Sequence, residues 1–247
     1  MKVKRYKKDD DITYSLGVTV TMEFLLGRPS DVKAVLLHPS FDSKETLDKI
    51  LKLCRENNIP TEIDAKAFNI LSQKENCFVA GVIAKQPQTL RPGNHIVLVN
   101  PSNDGNMGTI MRSALGFGFK DIAVITPAAD PDDPKTIRAS MGARAKVRVQ
   151  MFGDFKDYRA VFPGNSLYPF MLDGSVMLGN VDIREPFSLI FGNEATGLPA
   201  WFSTVGTPVR IDHGHDIDSL NLPIAASIAM YESTKGKFGG MPAEVSS

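Results

Sequence analysis

The chain has 247 residues, 43% of them hydrophobic and 23% charged, with a formal net charge of zero. That composition fits one large or two modest globular domains with a real core. It excludes a membrane span, since no apolar stretch approaches roughly 20 residues, and it argues against a generally basic nucleic-acid-binding surface.

The N-terminus carries five positive charges in residues 2–8, answered at once by Asp9, Asp10 and Asp11. No apolar run or small-residue cleavage site follows, so it does not read as a secretory signal. Val32–Leu37 reads as a strand. From Ser43, a plausible N-cap, Leu47, Ile50, Leu51 and Cys54 fall on one helical face that should stop near Asn57-Asn58, before Pro60. Phe78–Ala84 is a second strand. Residues 85–93, with two prolines and a glycine, read as a linker. Cys54 and Cys77 have neither metal nor redox spacing and suit buried thiols in a reducing compartment, which makes the chain cytoplasmic.

Beyond the linker the pattern alternates. Strands are expected at His95–Val99, Ile122–Thr126, Val147–Met151, Leu167–Leu172, Phe187–Phe191 and Val209–Ile211. Helices are expected around 108–117, 134–142, 154–160 and 223–235, and the tail from Gly236 should fray. Strands alternating with helices predict a parallel sheet covered on both faces, with ligands beyond the carboxyl ends of its strands. The division is thus a small α/β unit, 1–90, followed by a larger α/β domain, 91–247, with its core at 94–235.

Three segments place small or polar residues where a strand should end. The first, after Ile96–Val99, contains Asn106, Gly108, Arg112 and Ala114. Its glycines would allow a tight turn and a close backbone approach to an anion at a helix N-terminus. It has no Gly-x-Gly-x-x-Gly and no phosphate-loop Gly-Lys-Ser/Thr. Arg112 projects away from the apolar stripe Ile110, Ala114 and Phe117, and could hold a phosphate bidentately or form a surface salt bridge. The second segment ends a strand with Gly192-Asn193-Glu194, then Gly197-Leu198. Glu194 could equally be a carboxylate at a helix N-terminus. The third is Ser219-Leu220-Asn221 before Pro223, where Ser219 or Asn221 could simply cap a helix. His213 and His215 lie upstream without a third ligand, and read as loop. Arg138, Arg144, Lys146 and Arg148 fall in eleven residues without an acid, either a solvated face or an RNA contact.

In this order and spacing the three segments resemble the signature motifs of the SpoU/TrmH family of the SPOUT superfamily, over roughly residues 94–235. Asn106, Gly108, Arg112 and Ala114 meet the first motif. Gly192, Asn193, Glu194, Gly197 and Leu198 meet the second, and Ser219, Leu220 and Asn221 the third. Two positions depart from the pattern: Asp212 follows Ile211 where proline is usual, and Pro223 stands where serine is common. The resemblance implies a parallel-sheet domain with a deep C-terminal trefoil knot, preceded by a ribosomal-protein-like RNA-binding domain starting near Tyr14–Leu26. It implies transfer of a methyl group from S-adenosylmethionine to a ribose 2′-hydroxyl of rRNA or tRNA, without a metal, by a homodimer joined through the knotted domain. Gly192, Ile211 and Leu220 would hold the cofactor. Arg112 would act on the target with Asn106, Glu194, Ser219 and Asn221 orienting it, and Arg138, Arg144, Lys146 and Arg148 would bind RNA. The competing readings are a SPOUT-like RNA-binding module that has lost catalysis, and a different nucleotide enzyme on the same sheet.

Overall fold

The computed structural model describes residues 3–71, 77–214 and 216–238. His215 and most of the expected frayed tail lie outside the described residues. The front part forms a four-stranded sheet in the order β1-β4-β2-β3. Its strands are β1 (Ile12–Leu16), β2 (Val32–Leu37), β3 (Thr61–Ile63) and β4 (Val79–Ala84), with helices α1 (Val18–Gly27), α2 (Lys44–Glu56) and α3 (Ala65–Leu71). Every residue of β4 is buried, as expected for a strand paired on both sides. The helix predicted after Ser43 buries Ile50 and Cys54. Sequence patterning misses α1 and α3, whose apolar residues do not follow a clean single stripe.

The second part is a five-stranded sheet in the order β7-β6-β5-β10-β8. The strands are β5 (His95–Val99), β6 (Asp121–Ile125), β7 (Arg148–Phe152), β8 (Ser166–Pro169) and β10 (Phe187–Phe191). All neighbours pair in parallel. A short ribbon of β9 (Val176–Met177) and β11 (Val209–Arg210) lies apart. The helices are α4 (Asp104–Gly116), α5 (Pro134–Ala139), α6 (Phe155–Val161) and α7 (Leu222–Thr234). Side chains alternate across the wholly buried β5. Ile96 and Leu98 join the face covered by Met107, Ile110 and Met230. Val97 and Val99 join the face covered by Phe155 and Tyr158. The strand order reverses direction between β5 and β10, and such a switch opens a crevice at the carboxyl ends.

α4 begins four residues earlier than expected. The glycines read as a turn in the sequence, but Asn103 caps the helix, its side chain accepting from the Asn106 amide at 3.0 Å. Gly108 therefore lies inside the helix. A Cβ there would sit 2.5 Å from the Thr136 carbonyl oxygen and 2.6 Å from Ala139 Cβ. Its role is to let α4 meet α5, not to approach a ligand.

The two parts share a tight seam. Ile137 is fully buried in the front unit's core, with Val20, Phe24 and Ile83, and Ala145 joins it. Burying one such side chain is worth about 1.5–3 kcal/mol. Tyr6 donates to Asp130 and Thr13 to the Asp132 carbonyl. The predicted linker is pinned as well. Gln88 Oε1 accepts from Arg144 at 3.0 Å and from the Val149 amide at 2.9 Å, and the Leu90 amide donates to Gln150. A chain cut in 85–93 would expose Ile137 and strip a hydrogen-bond partner from Arg144, so the expected clean separation there meets a physical cost. No helix of the described residues is long and apolar enough to cross a membrane.

Candidate active site at the carboxyl ends of the strands

β10 runs apolar to Phe191 and stops at Gly192. The chain then doubles back. The Asn193 amide donates to the Gly197 carbonyl at 3.1 Å, and the Gly197 amide to the Asn193 carbonyl at 2.9 Å. Asn193 Oδ1 accepts from the Ala195 and Thr196 amides, filling the loop from within. Gly197 has φ +67°, and a Cβ on Gly192 would lie 2.1 Å from the Gly197 carbonyl carbon. Only glycine fits at Gly192.

This loop is one wall of a cavity of about 400 Å³. Phe170, Met171, Ile211, Leu220 and Leu222 supply apolar surface, and Gly192, Asn193, Glu194 and Ser219 supply polar groups. Phe170 and Phe191 stack at the end of β8 and β10, with ring centroids 4.7 Å apart. Neither main-chain group of Ser219 or Leu220 pairs with another backbone group among the described residues. The cavity thus combines apolar walls with open backbone donors and acceptors, as a planar heterocycle with polar edges requires.

Glu194 is the anchor between the second segment and the first. Its Oε2 accepts from the Ser102 amide and hydroxyl, both at 2.9 Å. Its Oε1 accepts from the Asn103 amide at 3.1 Å and Asn106 Nδ2 at 3.2 Å. Partial burial works against the charge, but these hydrogen bonds outweigh it and hold its pKa below the usual carboxylate range. The carboxylate does sit at a helix N-terminus, that of α4 rather than of a helix of its own, where the dipole favours it. With both oxygens saturated and its pKa lowered it is a poor base.

α7 completes the arrangement. Ser227 Oγ donates to Ser113 Oγ at 2.8 Å, and Tyr231 meets Phe117 edge-on. Equal steps on both helices keep these pairs together, so α4 and α7 run parallel. Asn221 holds the N-cap position of α7, yet its side chain makes no cap hydrogen bond. The side chains of Ser219 and Asn221 are exposed and unengaged among the described residues, as is Arg112. Among the described residues, neither Ser219 nor Asn221 makes a side-chain cap and Arg112 makes no salt bridge.

Gly192, Glu194, Ile211, Ser219 and Leu220 line the cavity, and Asn106 joins them through Glu194. Arg112 and Asn221 do not line it; α4 and α7 carry them. The basic run is a different matter. Arg144 is buried at 4% side-chain exposure and pairs with Asp132 at 2.7 Å. Lys146 pairs with Glu23, and Arg148 holds Asp121 through two nitrogens. These three do not form the free basic face expected of them, because folding supplies each with an acid from outside the run. Arg138 is half-buried. His213 turns its ring to the Ile211 carbonyl at 3.0 Å. Ser102 and Asn103 escape sequence reasoning. A helix-cap signal is present at Asn103, whereas Ser102 has no local signal, since its partner Glu194 is 92 positions away.

Comparison with known proteins gives a consistent picture. A family model described as the SpoU rRNA methylase family matches residues 93–231. A 23S rRNA uridine 2′-O-methyltransferase from Streptomyces viridochromogenes is 31% identical over 157 residues, 60% of this chain and 54% of that protein. The chain thus spans about half the length of that relative. A 23S rRNA guanosine 2′-O-methyltransferase from Bacillus subtilis is 25% identical over 93% of this chain and 94% of its own length. The crystal structure of an AdoMet-bound rRNA methyltransferase from Sinorhizobium meliloti superposes with a TM-score of 0.78 at 23% identity, covering 90% of this chain and 87% of that one. That likeness establishes the fold.

Proposed function

The chain belongs to the SpoU rRNA methylase family, and from that premise we propose that it transfers a methyl group from S-adenosylmethionine to a ribose 2′-hydroxyl of rRNA or tRNA. The observation that carries the reading is the cavity of about 400 Å³ walled by the second and third segments and tied to the first by Glu194. Its size, apolar walls and open backbone suit the adenine and methionine parts of the cofactor. Backbone near Gly192, Ile211 and Leu220 would hold it, and it supplies an electrophilic methyl when bound.

The protein's task is alignment and the management of one proton. Arg112 is exposed and unpaired among the described residues, and a guanidinium stays charged throughout the accessible range. It binds the phosphate beside the target ribose and lowers the pKa of the 2′-hydroxyl. Ser219 and Asn221, whose side chains are exposed and unengaged among the described residues, hydrogen-bond and orient the ribose. Glu194 positions Asn106 and takes no proton; the phosphate held by Arg112 assists deprotonation of the hydroxyl. The active-enzyme reading is preferred over an inactive binding module because every polar group of the three segments is present and none of Arg112, Ser219 or Asn221 is diverted to a structural bond.

A trefoil knot is supported by the path of the chain after β10: Val209 runs out beside Phe170 beyond β8, and the chain then returns as α7 to pack on α4. Residues 1–90 act as a substrate-binding domain on 91–247. Homodimerisation is supported by Ile224, Ile228 and Tyr231, exposed at 52%, 37% and 56% on one face of α7. Cytoplasmic residence is supported by Cys54 and Cys77, both buried as thiols suited to a reducing compartment. The reading is tested by titrating S-adenosylhomocysteine calorimetrically: one site per chain is expected, and absence of both heat and thermal stabilisation refutes it.

A further inference from the structure

A second concavity, of about 470 Å³, lies on the seam between the front unit and the parallel sheet. Five of its lining side chains are cationic: Arg28, Arg91, Lys120, Lys146 and Arg148. None is acidic. They come from separate places in the chain: Arg28 caps the end of α1, Arg91 lies in the linker, Lys120 precedes β6, and Arg148 begins β7. Asp121 neutralises Arg148 and Glu23 neutralises Lys146. Arg28 donates to the Val147 carbonyl, which carries no full charge. The side chains of Arg91 and Lys120 are exposed and unbonded among the described residues.

Among the described residues, three cations are thus left without a carboxylate partner. The carbonyl ends of α1 and α4, which reach this concavity at Gly27 and Leu115, offset part of that charge. Strain remains nevertheless: burial first, then the like charges of Arg144 and Arg148, bring Arg28 down to about 10 in spite of Asp31 and Asp132. On a chain of zero net charge, such a concentration has a local purpose, since a positive concavity focuses an anion's approach.

We propose that this cleft is a second RNA site, binding backbone phosphates of the substrate at nucleotides remote from the one that is methylated. The cleft lies at the amino ends of β6 and β7 and the cofactor cavity at the carboxyl ends of β8 and β10. A five-residue strand separates such ends by on the order of 16 Å. A single nucleotide cannot span that distance; a polynucleotide can. Two free cations on loops, with two ion-paired ones behind them, suit a sequence-independent backbone contact. The inference rests on the proposed methyl transfer to RNA, but it is tested apart from it.

The test compares Arg91→Ala/Lys120→Ala with Lys156→Ala/Arg159→Ala, a control pair removing the same charge from exposed positions on α6. Binding of a fluorescein-labelled ribosomal RNA fragment is followed against salt, and methyl transfer to the same RNA is measured separately. The cleft pair should weaken RNA binding about 10-fold and flatten the logarithmic salt slope by about 1.4, roughly 0.7 for each single-strand phosphate that is no longer neutralised. The control pair should change neither, and S-adenosylhomocysteine binding should be unaffected in both. Equal effects of the two pairs would overturn the proposal. So would an unchanged salt slope in a variant that loses the thermal stabilisation given by inorganic pyrophosphate, since the cleft would then serve a free phosphate compound. Wild-type protein that binds RNA through the cleft but transfers no methyl would refute the transferase reading and leave the cleft standing.

Discussion

Glu194→Gln is nearly isosteric and yet should be damaging. Each carboxylate oxygen takes at least two donors: Ser102 amide and hydroxyl on Oε2, with Asn193 Nδ2 further off at 3.5 Å, and Asn103 amide and Asn106 Nδ2 on Oε1. Glutamine has one acceptor oxygen, so in either orientation its amide nitrogen faces two donors. Hydrogen bonds to a charged group are each worth about 1.5–3 kcal/mol, which gives about 3–6 kcal/mol for two. Ser102 and Asn103 are exposed and can turn to water, and screening further reduces the loss to about 1–2 kcal/mol. Because the pKa of Glu194 is lowered by folding, its contribution is complete above its unfolded value near 4.3. It is lost as pH falls through the lower folded value. Urea unfolding should show the deficit at pH 7 and a smaller one in acid. Asn106 loses its anchor, so methyl transfer should fall on the order of 100-fold. A variant matching wild type in both stability and rate at pH 7 would refute the anchoring role.

Other expectations follow from single interactions. Gly192→Ala should abolish S-adenosylhomocysteine binding by calorimetry while the far-ultraviolet circular dichroism spectrum is kept, since the new Cβ collides with the 193–197 loop; normal affinity would contradict the loop's role. Arg112→Ala should leave the melting temperature within about 1 °C, as for most surface positions without partners, while eliminating methyl transfer. Arg112→Lys should recover little, lacking the planar fork, and equal rates for Lys and Arg would exclude bidentate binding. His95 is buried, with Nε2 donating to the Arg91 carbonyl and Nδ1 accepting from Tyr158. Its pKa is lowered, burial outweighing the opposing hydrogen bond. Its stabilisation is therefore present above the unfolded value near 6.5 and lost as pH falls through the folded one. Chemical denaturation across that interval should show it. Tyr158→Phe, breaking bonds to His95 and Ser188, should cost about 1–3 kcal/mol.

What can be read from the chain is local. β2, β5 and β10 carry predominantly apolar runs, broken by Lys33, His95 and Ser188, and their boundaries match the expected ones. α2 shows a single stripe with a cap and a stop. The three segments are visible as polar ends of apolar strands, and five of the expected site residues line one cavity. What misleads depends on partners distant in sequence. Gly108 looks like a phosphate turn until α5 packs against it. Arg144 and Arg148 look free until Asp132 and Asp121 reach them. The basic cleft cannot be foreseen, because Arg28, Arg91 and Lys120 come together only through the seam.

The most direct test of the central claim is product analysis. The purified chain is incubated with S-adenosylmethionine and RNA from cells lacking its gene, and the RNA is digested to nucleosides for mass spectrometry. A single 2′-O-methylated nucleoside should appear with the wild-type chain and not with Arg112→Ala. A methyl group found on a base, or equal yield from the variant, would contradict the assignment.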